Sequence, residues 1–407
     1  VTYLRLLLVF FLLLSSVLPL TSQNADKQSP ALRIGYGVTS NVDLVDITDP
    51  TIRSLGAGIY NNWDTSSAPV TPDGMHFAQT VRVHQLLTCP LNSENAWNRD
   101  ACPYAEPHSY QVRPSLEEIS TVAAAQPGAL WLIGSEMDRR DWYRGGQDEM
   151  LPELYATAYH DIYTAIKAAD PTAQVAIGGI IQATPLRMAW LDRTWDAYQQ
   201  QYGEPMPVDV WNIHNFILRE VFREYGADIP PGIETDDALA FVPESDWTHI
   251  DISIFDSQIR SFRAWMAERG QQEKPLIVSE YGVLYRHCAL WRWTGTEFVC
   301  EQTFNDEQTV VDFMLATFDY FLNERDCVIG YEADGCRLVQ QWLWFSLDHP
   351  TEGFNIHARL YDNPNSSLTP AGIAFRDWVT ANRDVLSQPI PTDDLPRIFL
   401  PNVAKSE

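Results

Sequence analysis

Short β-rich runs alternate with amphipathic stretches of helical period along most of this 407-residue chain, and that alternation leaves few folds open to it. Eight runs read as strands: Arg33–Thr39, Gly58–Trp63, Thr80–Leu86, Ala129–Gly134, Gln174–Ile180, Val208–Phe216, Pro275–Gly282 and Leu338–Phe345. The helices between them are signalled by their caps and their period. Ser115 followed by Glu118 spells a capping box. Leu154, Ala158, Ile162 and Ile166 recur every four residues until Asp170-Pro171 ends the element. Ile252, Phe255, Ile259, Phe262 and Met266 form a second stripe, closed by Gly270, and Val310, Phe313, Met314, Thr317 and Phe321 a third. Each stripe alone is core packing and implies no function.

Strands separated by helices pair in parallel, and eight of them predict an α/β protein folded as a (β/α)8 TIM barrel. It would be a single catalytic domain over residues 31–388 with long βα loops, its functional side chains at the C-terminal ends of the strands. An open doubly wound sheet is the alternative. No GxGxxG or GxxxxGKS/T follows an early strand, so its nucleotide-binding versions would lack their phosphate loop.

Charge and cysteine usage bound the setting. Lys+Arg of 28 against Asp+Glu of 54 leaves a net charge of −26, a field that repels phosphate backbones and argues against a nucleic-acid partner. It also makes a neutral substrate more comfortable than a polyanionic one. After Arg5 the apolar run Leu6 to Leu14 meets Ser15, Ser16, Pro19, Thr21 and Ser22, which predicts a cleaved signal peptide over residues 1–22. The competing membrane anchor needs roughly 20 apolar residues, more than this run supplies, so no stable membrane insertion is expected after cleavage. The mature protein is then secreted or held at the cell surface. Six cysteines fall as close neighbours, Cys89 with Cys102, Cys288 with Cys300 and Cys327 with Cys336, and in an exported chain they read as three local disulfides. A zinc site is the rival, and it lacks paired CxxC or nearby HxxxH spacing. Residues 389–407, with Pro389, Pro391 and Pro396, read as an extended C-terminal tail.

Two apolar runs end in a carboxylate. Trp131-Leu132-Ile133-Gly134-Ser135-Glu136 closes the fourth strand and Leu276-Ile277-Val278-Ser279-Glu280 the seventh. A carboxylate after a buried run is costly unless it is paired or faces a cavity. A strand-end ion pair, with Arg82 or Arg139 as partner, would satisfy either glutamate singly. Jointly, on strands roughly across a barrel from one another, they form the pair that glycoside hydrolysis requires.

At this point the sequence resembles the clan A, or 4/7, glycoside hydrolases, in which an acid/base glutamate ends strand four and a nucleophile glutamate ends strand seven. The likeness spans about residues 31–388 and is strongest to exported bacterial barrels with a glycosidase-type core. It implies that Glu136 is the acid/base and Glu280 the nucleophile of a retaining mechanism on a carbohydrate, with no metal and no cofactor. Trp211-Asn212-Ile213-His214-Asn215-Phe216 resembles the place where the group sets a polar side chain beside the nucleophile, which makes His214 and Asn215 candidates. Gln341-Trp342-Leu343-Trp344 resembles its aromatic floor under the reacting sugar, although alternation alone leaves open which way Trp342 and Trp344 face. Arg82 would keep Glu280 charged if it stands beside it.

Three positions depart from the group's pattern. Ser135 stands where an asparagine commonly holds the sugar 2-hydroxyl, Met137 where proline is frequent, and Phe216 where many members carry tyrosine. A carbohydrate-binding barrel without turnover is therefore the alternative. A metal-dependent hydrolase on the same barrel would usually show HxH on strand one, and Arg33–Thr39 has no histidine. Aromatics in loops after strands, Trp63, Trp142, Tyr143, Tyr281, Trp291 and Trp293, could stack on sugar faces. The Cys288 to Cys300 bridge would brace the loop that carries two of them.

Overall fold

The computed structural model describes residues 30–39, 45–91, 93–141, 146–233, 238–349 and 355–391. The expected signal peptide lies outside the described residues, as does the tail beyond residue 391. The strands are β1 (Ala31–Gly37), β2 (Ala57–Asn61), β3 (His76–Phe77 continued by Gln79–Gln85), β4 (Leu130–Ser135), β5 (Gln174–Gly179), β6 (Trp211–His214), β7 (Leu276–Tyr281) and β8 (Gln341–Trp344). Each falls within or beside the run that the sequence predicts.

Every neighbouring pair is parallel, and the ring closes. One ladder runs β2-β1-β8-β7-β6 and another β3-β4-β5. The first piece of β3 pairs with β2 (Ile59 with His76, Tyr60 with Phe77) and the second with β4, so one strand belongs to both ladders. Isolated bridges, Ala176 to Val210 and Ile180 to Ile213, join β5 to β6. This is the expected (β/α)8 barrel.

Helices α1 (Pro50–Arg53), α2 (Leu116–Ala125), α3 (Pro152–Ala169), α4 (Pro185–Tyr202), α5 (Ile252–Glu268), α6 (Glu307–Asn323) and α7 (Pro370–Ala381) follow every strand except β2. After β2 there is one 3-10 turn, Pro72–Gly74. The helices start where local chemistry dictates. Ser115 and Glu118 form the reciprocal capping box of α2, Asp251 and Asp306 cap α5 and α6, and proline opens α3, α4 and α7. The stripes read from the sequence are buried against the barrel.

Alternation along the strands divides the interior in two. Trp131, Ile133, Trp211, Ile213, Val278, Trp342 and Trp344 join the large core between sheet and helices. Leu130, Leu132, Ala176, Ile277 and Leu343 form a smaller cluster inside the ring. That division corrects one expectation: Trp342 and Trp344 are no sugar floor. Both are fully buried, Trp342 stacked on Phe321 of α6 at 5.0 Å and Trp344 donating its indole N–H to Ala358 O at 2.7 Å.

A bulge in β7 sets up the site. Trp342 pairs with Val278 and Trp344 with Tyr281, so two steps on β8 oppose three on β7. Val278 and Tyr281 both face the helices. The extra residue turns Glu280 toward the barrel mouth, the kind of re-aiming that bulges provide.

The six cysteines pair as the spacing suggests, Cys89 with Cys102, Cys288 with Cys300 and Cys327 with Cys336. The Cys288 bridge ties the two arms of a hairpin, Cys288–Trp293 and Phe298–Thr303, which the sequence reads only as a loop. A short strand, Tyr110–Arg113, antiparallel to the end of β3, is likewise not legible beforehand. Tyr331 donates to Pro391 O and Arg33 to Pro389 O, so the first residues of the expected tail pack against the barrel. No helix among the described residues is long and apolar enough to cross a membrane.

Candidate active site

Glu136 follows the last residue of β4 in a tight turn. Its own φ is +55°, in the left-handed region, and Gly134 two residues earlier has φ +91°. A Cβ on Gly134 would meet Met137 Sδ at 2.6 Å, so the turn needs glycine for its φ and for its space. The Glu136 amide donates to Gly179 O at the end of β5, which fixes the turn to the neighbouring strand.

His214 ends β6 pointing inward, because Trp211 and Ile213 take the outward face. Its imidazole lies over Gly179, where a Cβ would come within 2.1 Å of Cδ2. From there it reaches both glutamates. Nδ1 is 3.2 Å from Glu136 Oε1 and Nε2 is 3.7 Å from Glu280 Oε2. One donor atom from each of the three residues lies within 4.8 Å of the other two.

Each carboxylate has a further partner. Arg139, three residues on, donates Nη1 to Glu136 Oε2 at 2.9 Å and Nη2 to Gly226 O at 2.8 Å. Glu280 Oε2 accepts the indole N–H of Trp63 at 3.1 Å. Trp63, with φ +58°, lies against Gly37 and edge-on to Phe345, and its own amide donates to Asn61.

The electrostatics follow from these contacts. Burial works to raise the Glu136 carboxyl, and the Arg139 guanidinium with the His214 hydrogen bond overcomes it, holding the group at about 2. Burial pushes Glu280 up to about 7, against the pull of the His214 imidazole. Burial likewise opposes charging of His214, but Glu280 and Glu136 outweigh it and its pKa rises. These contacts favour an ionised Glu136 beside a Glu280 that takes up a proton near neutrality.

Several other candidates have structural tasks. Arg82 does not act as the cation of Glu280. Its guanidinium pairs with Asp148 (Nη2 to Oδ1 2.8 Å), which also accepts the amides of Ser135 and Val83 and so braces the end of β4. Ser135 is thus held through its backbone next to Glu136. Asn215 turns its side chain to Phe255 O in α5, and Tyr281 is buried against Phe255, Phe321 and Trp344; neither faces the site. Phe216 packs edge-on to His214. Trp293 is exposed on the hairpin. The side chain of Trp291, with Trp142 and Tyr143, lies outside the described residues.

Sequence reasoning missed the bond from Trp63 to Glu280 and the exposed aromatics Trp97, Phe222 and Tyr225 in the loops after β3 and β6. The latter carry the signal that marked Trp293, an aromatic in a βα loop. Arg223 stands 4.9 Å over Phe222 and 6.0 Å over Trp97, linking the two loops.

One imidazole and two carboxylates are also a donor set that a divalent cation could use. Arg139 argues against it here, because its guanidinium already occupies Glu136 Oε2 and would repel a second cation beside it. Two surface clefts of about 260 and 360 Å3 open near the opposite, N-terminal ends of the strands, lined in part by Pro30 and Ala57 and by Leu130 and Gln341. Neither brings two carboxylates to one imidazole as the glutamate site does.

No protein-family model matches the sequence, and no curated protein is similar to it. Solved structures are similar in outline. One is a GH128 (subgroup I) endo-β-1,3-glucanase from Amycolatopsis mediterranei in complex with laminaripentaose, at 15% identity and TM-score 0.47, over 84% of this chain and 98% of that one. A GH128 (subgroup VII) oligosaccharide-binding protein from Trichoderma gamsii gives 12% and 0.47, over 87% and 96%. Cel5A of Thermotoga maritima in complex with mannotriose gives 10% and 0.42, over 85% and 97%. Likenesses this faint carry no argument about activity, which has to come from the site itself.

Proposed function

We propose that the protein is an exported glycoside hydrolase that cleaves β-glycosidic bonds in an oligo- or polysaccharide with retention of configuration. The observation that carries this reading is the convergence of Glu136 and Glu280 on one mouth of the barrel, with donor atoms within 4.8 Å of each other through His214. Retaining enzymes hold their two carboxyl groups about 5–5.5 Å apart, whereas inverting ones leave room for a water at about 6.5–9.5 Å. Three disulfides suit an oxidising compartment and support export.

In this scheme Glu280, ionised, attacks the anomeric carbon while Glu136 gives a proton to the departing glycosidic oxygen. The products are the leaving alcohol and a glycosyl ester on Glu280. Glu136, now a carboxylate, then takes a proton from water as that water attacks the same carbon, which frees Glu280 and restores the acid. His214 partners both groups, and the Trp63 N–H fixes the rotation of the Glu280 carboxylate.

A second reading has its own support. Both oxygens of Glu136 are engaged, one by the Arg139 guanidinium and one by the His214 imidazole, an arrangement suited to a carbohydrate-binding barrel that never protonates a leaving group. Assay of the wild type and Glu280→Gln against β-glucans, mannans and xylans separates the two. Hydrolysis by the wild type alone supports the enzyme, and binding without hydrolysis by both supports the binder.

A further inference from the structure

In glycoside hydrolysis the departing sugar rests beside the group that protonates its oxygen, and the transferred sugar rests over the nucleophile. Surface on the Glu136 side of the mouth is therefore surface for the departing part of the chain. The loop after β6 lies on that side. Its Gly226 O accepts from Arg139 at 2.8 Å, and Arg139 in turn donates to Glu136 at 2.9 Å. Arg140, from the same segment after Glu136, stands 5.7 Å over the ring of Phe222. Tyr225 donates its hydroxyl to Leu284 O at 3.1 Å and packs edge-on to Tyr285, which ties the loop to the one that follows Glu280.

Large rings are open to solvent on this side, Phe222 at 49% and, from the loop after β3, Trp97 at 36%. Arg223 spans the two, 4.9 Å over Phe222 and 6.0 Å over Trp97, and pairs with Asp100 at 3.3 Å. The strip thus sets flat apolar rings beside a guanidinium and a carboxylate whose charges offset each other. Rings take the C–H faces of a pyranose and planar polar groups take its hydroxyls. The balanced charge suits a neutral sugar rather than a uronate.

We propose that Trp97, Phe222 and Arg223 form a subsite for the departing, reducing-end portion of a neutral β-linked oligosaccharide, so that the protein prefers a leaving group of several sugar units to a short one. This rests on the hydrolase reading and gives it a direction along the substrate.

The test uses laminarihexaose, cellohexaose, mannohexaose and xylohexaose with wild type, Trp97→Ala and Phe222→Ala, a thermal melt confirming that each variant folds. Hydrolysis in 18O water marks the newly formed reducing end and so identifies the bond that is cut. The wild type releases at least a disaccharide from the reducing end, and in the variants the cut moves toward that end. The ratio of kcat/KM for the hexaose to that for the 2,4-dinitrophenyl glycoside of the same sugar falls about tenfold or more, the scale for truncating an aromatic anchor. A cut and a ratio that stay as in wild type in both variants overturn the proposal. So does a wild-type dimer that either variant turns into a monomer, which assigns the strip to a second copy of the chain. Calorimetry of the hexaoses with Glu280→Gln reads binding without turnover. Adding Trp97→Ala weakens it about tenfold or more, whereas an unchanged affinity, or no binding of any hexaose, overturns the subsite. If the wild type binds a hexaose and hydrolyses none, the hydrolase reading fails, and the calorimetry still decides whether the strip binds sugar.

Discussion

The imidazole of His214 stands between Glu136 and Glu280, with Nδ1 3.2 Å from an oxygen of the first and Nε2 3.7 Å from an oxygen of the second. Two buried carboxylates this close cannot both ionise cheaply without a positive group between them. The histidine supplies it when protonated, a state both carboxylates favour, and a glycine at position 179 makes the space.

Replacing His214 by Asn removes the imidazole and leaves the carboxylates facing one another. One of them then holds a proton across the neutral range, and kcat/KM falls by about 100-fold or more, the usual scale for misplaced acid-base groups. Steady-state kinetics with a thermal melt checks this. A variant of normal melting temperature and normal activity contradicts it.

The raised Glu280 sets an acid limb. A nucleophile has to be ionised, and burial pushes this group up to about 7. On a glycoside whose leaving group needs no proton from Glu136, the kcat/KM of the free enzyme should therefore climb about tenfold per pH unit from the acid side and level off near neutrality. The same shift works on stability with a definite sign. The folded state holds a proton on Glu280 that the unfolded chain releases above its ordinary value of 4.5, so the contribution is full below that pH and is lost as pH rises through about 7. A limb near pH 4 would contradict the burial argument.

Trp63 gives Glu280 a neutral donor, at 3.1 Å. Trp63→Phe keeps the ring against Gly37 and loses the N–H. A hydrogen bond to a charged group is worth about 1.5–3 kcal/mol, which corresponds to roughly 10- to 100-fold in a step that needs the anion. The acid limb should move upward, since the variant stabilises the anion less. An unshifted limb with unchanged kcat/KM contradicts that role.

Arg82 tests a structural assignment. Its partner Asp148 is fully buried and accepts the Ser135 and Val83 amides. Arg82→Met leaves that carboxylate with the His84 imidazole at 3.2 Å and the two amides, and breaking a buried pair from one side costs up to about 3–5 kcal/mol. Urea unfolding measures it. A loss under about 1 kcal/mol would mean that the pair does not brace β4.

How much was legible beforehand follows from what each residue depends on. The eight strands announce themselves because runs such as Leu276-Ile277-Val278 are buried on both faces, and Glu136 and Glu280 stand out as carboxylates ending such runs. The facing of Trp342 and Trp344 is hidden, because alternation fixes that the two share a face but not which one. Trp63 finds its partner 217 residues away, and Arg82 pairs with a loop aspartate rather than a strand residue. No local pattern encodes either contact. The bond from Arg139 to Glu136 spans three residues and is visible as an option, but only the left-handed turn at Glu136 makes it the one realised. The low pKa of Glu136 follows in large part from that contact.

Trapping with mechanism-based 2-fluoro glycosides and mapping of the labelled peptide test the central claim most directly. The account predicts time-dependent inactivation with a single glycosyl ester on Glu280, at the end of β7, and none on Glu136. A label on Glu136, or a wild type that hydrolyses natural β-glycans with inversion of the anomeric centre, would contradict it.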